Sequence, residues 1–154
     1  SGCVHRIVLC GPAAEALRGS PELNGLVADG RVRWMGPRAT PAASAAAALA
    51  TLPDEMPVLL TTGDHALLNA EMVHHFLLTA SATGGDIAVA LAPHDLVRKT
   101  YPRTRRTVLK FSDGHFCGCN LFAFLTPRAR QMARLWQQVE NDRKKPIRVI
   151  GFVG

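Results

Sequence analysis

Short apolar runs closed by Gly or Pro recur along the first hundred or so residues, and segments with helical spacing lie between them. Residues 6–10 (RIVLC) form one such run, closed by Gly11 and Pro12, and predict a strand. Residues 13–17 predict a short helix, broken by Gly19, Ser20 and Pro21. Residues 31–35 (RVRWM) predict a second strand, ended by Gly36 and Pro37. Thr40 and Pro41 then open an Ala-rich helix reaching about Leu52, with Thr40 as N-cap and Pro41 at the first helical position. Residues 57–62 (PVLLTT) are an uninterrupted apolar run of the kind buried on both faces of a sheet, so they predict a third strand. Asn69 caps a helix whose Met72, Val73, Phe76 and Leu77 form an apolar stripe, and Gly84 and Gly85 end it. Residues 86–91 predict the fourth strand.

Beyond Leu91 the rhythm changes. Ala92, Pro93 and His94 begin an irregular stretch that turns basic from Arg98 to Arg105. Residues 106–111 and 116–125 read as a hairpin around Asp113 and Gly114. Thr126 and Pro127 open a helix in which Met132, Leu135, Trp136 and Val139 share a face. The expected architecture is α/β: a β-α-β-α-β-α-β parallel core, an added antiparallel hairpin and a late helix. Residues 1–154 read as a single domain without internal repeats.

Composition narrows the class. Of 154 residues, 47% are hydrophobic and 19% charged, as in a soluble globular domain rather than a disordered segment. The net charge of +6 is concentrated in two clusters, Arg98, Lys99, Arg103, Arg105, Arg106 and Arg143, Lys144, Lys145, Arg148. Such clusters suit phosphates, or they are solvated basic faces. The few aromatics do not interleave with them, which argues against a nucleic-acid surface built on stacked bases. Cys3, Cys10, Cys117 and Cys119 make no CxxC pair and read as thiols in a reducing cytoplasm. No apolar run approaches a membrane span, and no signal peptide opens the chain.

Three places carry candidate chemistry. Asp64 stands just past the carboxyl end of the third strand, where open α/β sheets bind ligands. A hard carboxylate there suits Mg²⁺ and a phosphorylated substrate; equally, it suits a turn or helix cap. The loop 36–44 (GPRATPAAS) leads into a helix N-terminus, whose N–H groups can hold an anion or a base edge, with Ser44 facing either ligand or solvent. Gly118, inside a strand, suggests close approach of a ligand or backbone. Asn120 puts a polar group among Cys119, Leu121 and Phe122, either to bind a substrate or to tie down a loop. Lys144 and Lys145 either reach a phosphate or solvate a helix end, and His65 lies beside Asp64. The six histidines show no HExxH pattern, and no nucleophile elbow or reactive-cysteine context appears.

Taken together, 36–44 (GPRATPAAS), 58–68 (VLLTTGDHALL) and 110–124 (KFSDGHFCGCNLFAF) resemble the MobA-like nucleotidyltransferases of the GT-A type. The resemblance covers most of residues 5–145. It implies a three-layer Rossmann-like GT-A sheet, mainly parallel with an antiparallel hairpin. It further implies a base-contacting role for Gly36, Thr40, Pro41 and Ser44, and an Asp64 that holds Mg²⁺ and is central to catalysis. Gly118 and Asn120 would line the acceptor pocket, with Lys145 reaching an acceptor phosphate. His65 stands where the family often has Pro. The family's opening strand and Gly-rich phosphate loop, with its Arg and its Pro-Lys pair, have no counterpart here. The expectation is that about forty residues, one βα unit and a loop, precede Ser1; the other possibility is a degenerate relative.

The activity so implied joins an NTP to a phosphorylated small-molecule acceptor with release of pyrophosphate, in the cytoplasm, with no nucleic-acid or membrane partner. Two rivals stand beside it: a nucleotide-sugar-dependent glycosyltransferase on the same fold, and a non-catalytic nucleotide-binding domain.

Overall fold

A computed structural model of the protein describes residues 4–131. These fall into two compact units, one running to Asp54 and resuming at Arg130, the other comprising Glu55–Ala129.

The first unit is built on a parallel strand pair. β1 (Ile7–Cys10) lies beside β2 (Val32–Met35), with Ile7 opposite Val32 and Cys10 opposite Met35. The crossover contains two helices rather than the one that the spacing predicts: α1 (Ala14–Arg18) and α2 (Pro21–Ala28). The triplet Gly19, Ser20, Pro21 ends α1 and also starts α2. Ser20 is its N-cap, accepting from the Leu23 N–H at 3.5 Å, and Pro21 occupies the first turn. α3 (Pro41–Leu49) begins where expected, its Thr40 hydroxyl accepting from the Ala43 N–H at 3.1 Å. It packs on β1, and Leu17, Val32, Ala48 and Leu49 are buried in this unit. Arg130 is buried too, and its guanidinium donates to the carbonyls of Leu49 and Pro53 at 2.9 and 3.0 Å. These carbonyls lie at and beyond the end of α3; that of Leu49 also accepts from the Leu52 N–H at 3.2 Å in a final tight turn.

The second unit holds β3 (Val58–Thr61), α4 (Ala70–Ala82), β4 (Ile87–Pro93), α5 (His94–Thr100), β5 (Leu109–Phe111) and β6 (Gly114–Phe124). Asn69 caps α4 as predicted, accepting from the Met72 N–H at 2.9 Å, and Gly84 follows the helix end at φ +67°, a conformation suited to glycine. α5 occupies a stretch that the sequence reading left irregular. Its Asp95 lies in the first turn and its Arg98 and Lys99 in the last, matching the helix dipole.

The hairpin of β5 and β6 forms as expected, but it is not an addition beside a parallel core. β6 lies between β3 and β4, antiparallel to both, so the strand order is β3-β6-β4 with β5 pairing the far end of β6. Among the described strands, only β1 and β2 pair in parallel. The physical reason is in the composition of β6: Cys117, Leu121, Ala123 and Phe124 are all buried, as in a central strand covered on both faces. β5 pairs only three residues of it, leaving the rest for β3 and β4. The helix predicted after Thr126 is seen over 127–131, its Thr126 hydroxyl donating to Asp86 at 2.6 Å and accepting from the Ala129 N–H. Its predicted apolar face, Met132, Leu135, Trp136 and Val139, lies outside the described residues.

Candidate active site

The second unit gathers its chemistry where β3 stops. Thr61, the last residue of β3, pairs with Leu121 of β6, so the chain beyond it, Thr62-Gly63-Asp64, leaves the sheet alongside the Gly118–Asn120 stretch. There β6 bulges. Val89 of β4 faces Phe122, yet Leu91, two residues on, faces Gly118, four residues back. The extra residues include Asn120 at φ +52°, the left-handed region that Asn tolerates better than most residues. Bulges of this kind re-aim side chains next to functional sites.

Asp64 is fully exposed, in a turn closed by the Ala66 N–H donating to its carbonyl at 2.9 Å. The side chain of Thr62 donates to its carboxylate, and its own N–H and the charges of His65 and Arg106 act in the same direction. Together they hold the carboxyl below the ordinary carboxylate range. His65 approaches the Thr61 hydroxyl through Nδ1 at 3.4 Å. Asp64 does not cap the helix that follows, because Asn69 caps α4; it does sit in the turn.

Arg106 joins the two sides. Its guanidinium donates to the Gly118 carbonyl at 2.6 Å, and its charge acts on Asp64 and on Cys119. Burial pushes the Cys119 thiol up, against the opposing pull of Arg106. A methyl group added at Gly118 would meet nothing within 4 Å, so protein packing does not require glycine there. The Asn120 side chain is half-buried and makes no hydrogen bond among the described residues, so it ties down no described loop.

The loop 36–44 belongs to the other unit. Gly36 follows β2, Thr40 caps α3 and Pro41 opens it. The Ser44 hydroxyl accepts from the Arg38 N–H at 2.9 Å, folding the loop back on the first turn of α3. The Cys10 thiol donates to the Ser44 carbonyl at 3.4 Å, linking β1 to the same turn. Lys145 and the basic cluster 143–148 lie outside the described residues.

Arg106 thus links Gly118 to the neighbourhood of Asp64, and Asn120 lies two residues on in the same bulge. The structure adds Thr62 and Arg106, which sequence reasoning did not single out. Arg106 stood in the sequence only as one arginine of a cluster; its bond to Gly118 depends on a hairpin register that has no local signature. Among the described residues, no group of three or more His, Cys, Asp or Glu converges as a metal cage. One exposed, ionised carboxylate is nonetheless the donor set that Mg²⁺ uses when substrate phosphates and water complete its shell.

Comparison with known proteins identifies the family. The chain superposes on a structure described as a hypothetical transferase from Thermus thermophilus with a TM-score of 0.66 and 25% identity, over 97% of this chain and 77% of that one. No curated protein matches it. The family model of the MobA-like NTP transferase domain matches residues 1–145, and the chain belongs to that family.

Proposed function

We propose that this protein is an Mg²⁺-dependent nucleotidyltransferase that joins an NTP to a phosphorylated small-molecule acceptor and releases pyrophosphate. The observation that carries the reading is the ionised, exposed Asp64 at the end of β3, beside the bulge of β6 and the guanidinium of Arg106. Membership of the NTP transferase family supplies the nucleotide. The same proposal carries a three-layer, Rossmann-like GT-A fold, supported by the strand–helix alternation up to β4. A cytoplasmic location fits an NTP substrate and the free thiols of Cys10, Cys117 and Cys119.

An oxygen of the acceptor phosphate forms the new bond to the α-phosphorus as the bond to the departing pyrophosphate breaks. Such a reaction needs positioning and neutralisation of charge more than covalent chemistry. Bound Mg²⁺ supplies charge neutralisation at the NTP phosphates, and Asp64 is the residue that would hold it. The Thr62 side chain beside it lowers the carboxyl further, favouring its charged form. Arg106 offers a fixed cation on the acceptor side, its fork oriented by the Gly118 carbonyl. The unspent amide of Asn120 and the open space over Gly118 suit an acceptor hydroxyl or phosphate. Lys145 would add a further cation for it, and Gly36, Thr40, Pro41 and Ser44 would present the loop that contacts the base.

The test is pyrophosphate release from NTPs offered with phosphorylated acceptors, for the protein and for Asp64→Asn. Loss of at least about a hundredfold in the variant is expected, the scale of removing one preorganised electrostatic partner. Undiminished release would overturn the assignment. Transfer of a sugar without pyrophosphate would point instead to a nucleotide-sugar-dependent glycosyltransferase.

A further inference from the structure

The second unit contains a cleft of about 1260 Å³ whose lining reaches His65, the residue after Asp64. Its walls are apolar: Met72 and Phe76 from α4, Val89 and Leu91 from β4, Leu96 and Val97 from α5. Twelve large hydrophobic residues are exposed among the described ones, and six of them, Leu67, Met72, Val89, Leu91, Leu96 and Tyr101, line this one cleft. Scattered exposed apolar residues are ordinary, but their collection in a single concavity marks a binding surface.

Charge is distributed unevenly around it. Among the described residues, both arginines on the lining, Arg103 and Arg106, come from the segment that follows α5, and no acidic side chain lines the cleft. Neither arginine forms an ion pair with a described residue. His65, Arg106 and Gly118 belong at once to this lining and to the Asp64 neighbourhood. A ligand with its anionic group among these residues therefore has an apolar cavity directly before it.

We propose that the acceptor is an amphipathic phosphate: an anionic head held by Arg103 and Arg106, and an apolar body seated between α4, β4 and α5. The proposal rests on the nucleotidyltransferase reading for the word acceptor, but the binding site itself does not. A fully polar phosphorylated sugar would leave this apolar wall unused, whereas each buried methylene of an apolar body adds several-fold to affinity.

Direct binding tests it without NTP or metal. Octyl phosphate, kept below its micelle-forming concentration, is titrated calorimetrically against the 154-residue protein, with inorganic phosphate and octyl glucoside as the two half-ligands. Octyl phosphate is expected to bind at least about tenfold more tightly than either. Leu96→Gln, at a side chain already 57% exposed and so not needed for folding, is expected to weaken octyl phosphate at least threefold and leave inorganic phosphate unchanged. Arg103→Ala is expected to weaken both phosphates and spare octyl glucoside. Equal affinity for octyl and inorganic phosphate overturns the proposal, as does indifference to Leu96→Gln. A concentration-dependent dimer that dissociates in Leu96→Gln, with no probe binding, also overturns it and assigns the face to a second copy. If the proposal fails in any of these ways while pyrophosphate release still depends on Asp64, only the acceptor class is lost. If octyl phosphate binds and no pyrophosphate is ever released, the cleft stands and the nucleotidyltransferase reading falls.

Discussion

The guanidinium of Arg106 donates to the carbonyl of Gly118 at 2.6 Å, across the bulge that separates β6 from a regular pairing with β4. One side chain thus fixes the loop after α5 to the strand that faces Asp64, while its charge acts on Asp64 itself. Positioning and charge neutralisation meet in a single residue.

Replacing that residue separates the two effects. Arg106→Ala removes a bond made at an exposed site, so global stability is expected to fall by no more than about 1 kcal/mol. Pyrophosphate release is expected to fall by a factor on the order of a hundred. Arg106→Lys keeps the charge without the fork and should recover only part of the rate. Urea denaturation beside steady-state kinetics measures both; a stability loss large enough to account for the rate loss would make Arg106 a purely structural residue.

The pH behaviour of Asp64 follows from its neighbours. The Thr62 side chain beside the carboxylate favours its charged form, so the folded protein holds Asp64 below the ordinary carboxylate range. The sign is that of a depressed carboxylate: the stabilisation is present above the unfolded value and disappears as pH falls through the folded one. Thr62→Val removes the largest contribution, and the Asp64 carboxyl should then titrate at higher pH. Carbon-detected NMR titration of the side chain reads the shift directly, and an unchanged titration would show that Thr62 does not reach the carboxylate in solution.

Asn120 offers a way to separate backbone from side chain. At φ +52° a glycine is comfortable and an alanine is strained, by roughly 1 kcal/mol or slightly more. Asn120→Gly is therefore expected to keep or slightly raise stability, and Asn120→Ala to lower it. Since the amide has no described partner, any rise in KM for the acceptor in the glycine variant reports contact with substrate. An unchanged KM would confine Asn120 to a backbone role.

Gly118→Ala probes the space in front of the strand. Among the described residues beyond its chain neighbours, no atom lies within 4 Å of the added methyl group, so folding should be neutral or improved by a few tenths of a kcal/mol through the unfolded chain. Acceptor affinity is expected to fall several-fold as the methyl group occupies the approach to the backbone. Thermal denaturation and acceptor KM together decide it.

Arg130 is the stability counterpart. Its buried guanidinium satisfies the carbonyls of Leu49 and Pro53 within the first unit. Arg130→Met keeps much of the packing but leaves the Pro53 carbonyl without this partner and the Leu49 carbonyl with only the Leu52 N–H, at a cost of roughly 1–3 kcal/mol. Arg130→Lys, with a single compact ammonium in place of a fork, should lie between. Equilibrium denaturation gives the order, and equal stability of all three would show that the clamp contributes nothing net.

Much of this architecture is written locally in the chain. The apolar runs that become β1 to β4, the Thr40 and Asn69 caps, the hairpin turn (at Ser112 and Asp113, one residue before the Asp113–Gly114 pair expected), and the stop at Gly84 all depend on interactions within a few residues. So does the placement of Asp64 just past a strand end, the one candidate-site feature fully legible beforehand. α2 and α5 carry local signals too, the Ser20 cap and dipole-matched charges respectively, but the Pro beside each short segment is equally a break signal. What the tertiary structure alone decided is non-local. The insertion of β6 between β3 and β4, the bulge that turns Asn120 left-handed, and the bonds of Arg106 to Gly118 and Arg130 to Leu49 join residues from twelve to eighty-one positions apart. Such pairings are selected by burial of a central strand on both faces and by which distant carbonyls are left without partners. Neither quantity exists until the chain has closed on itself.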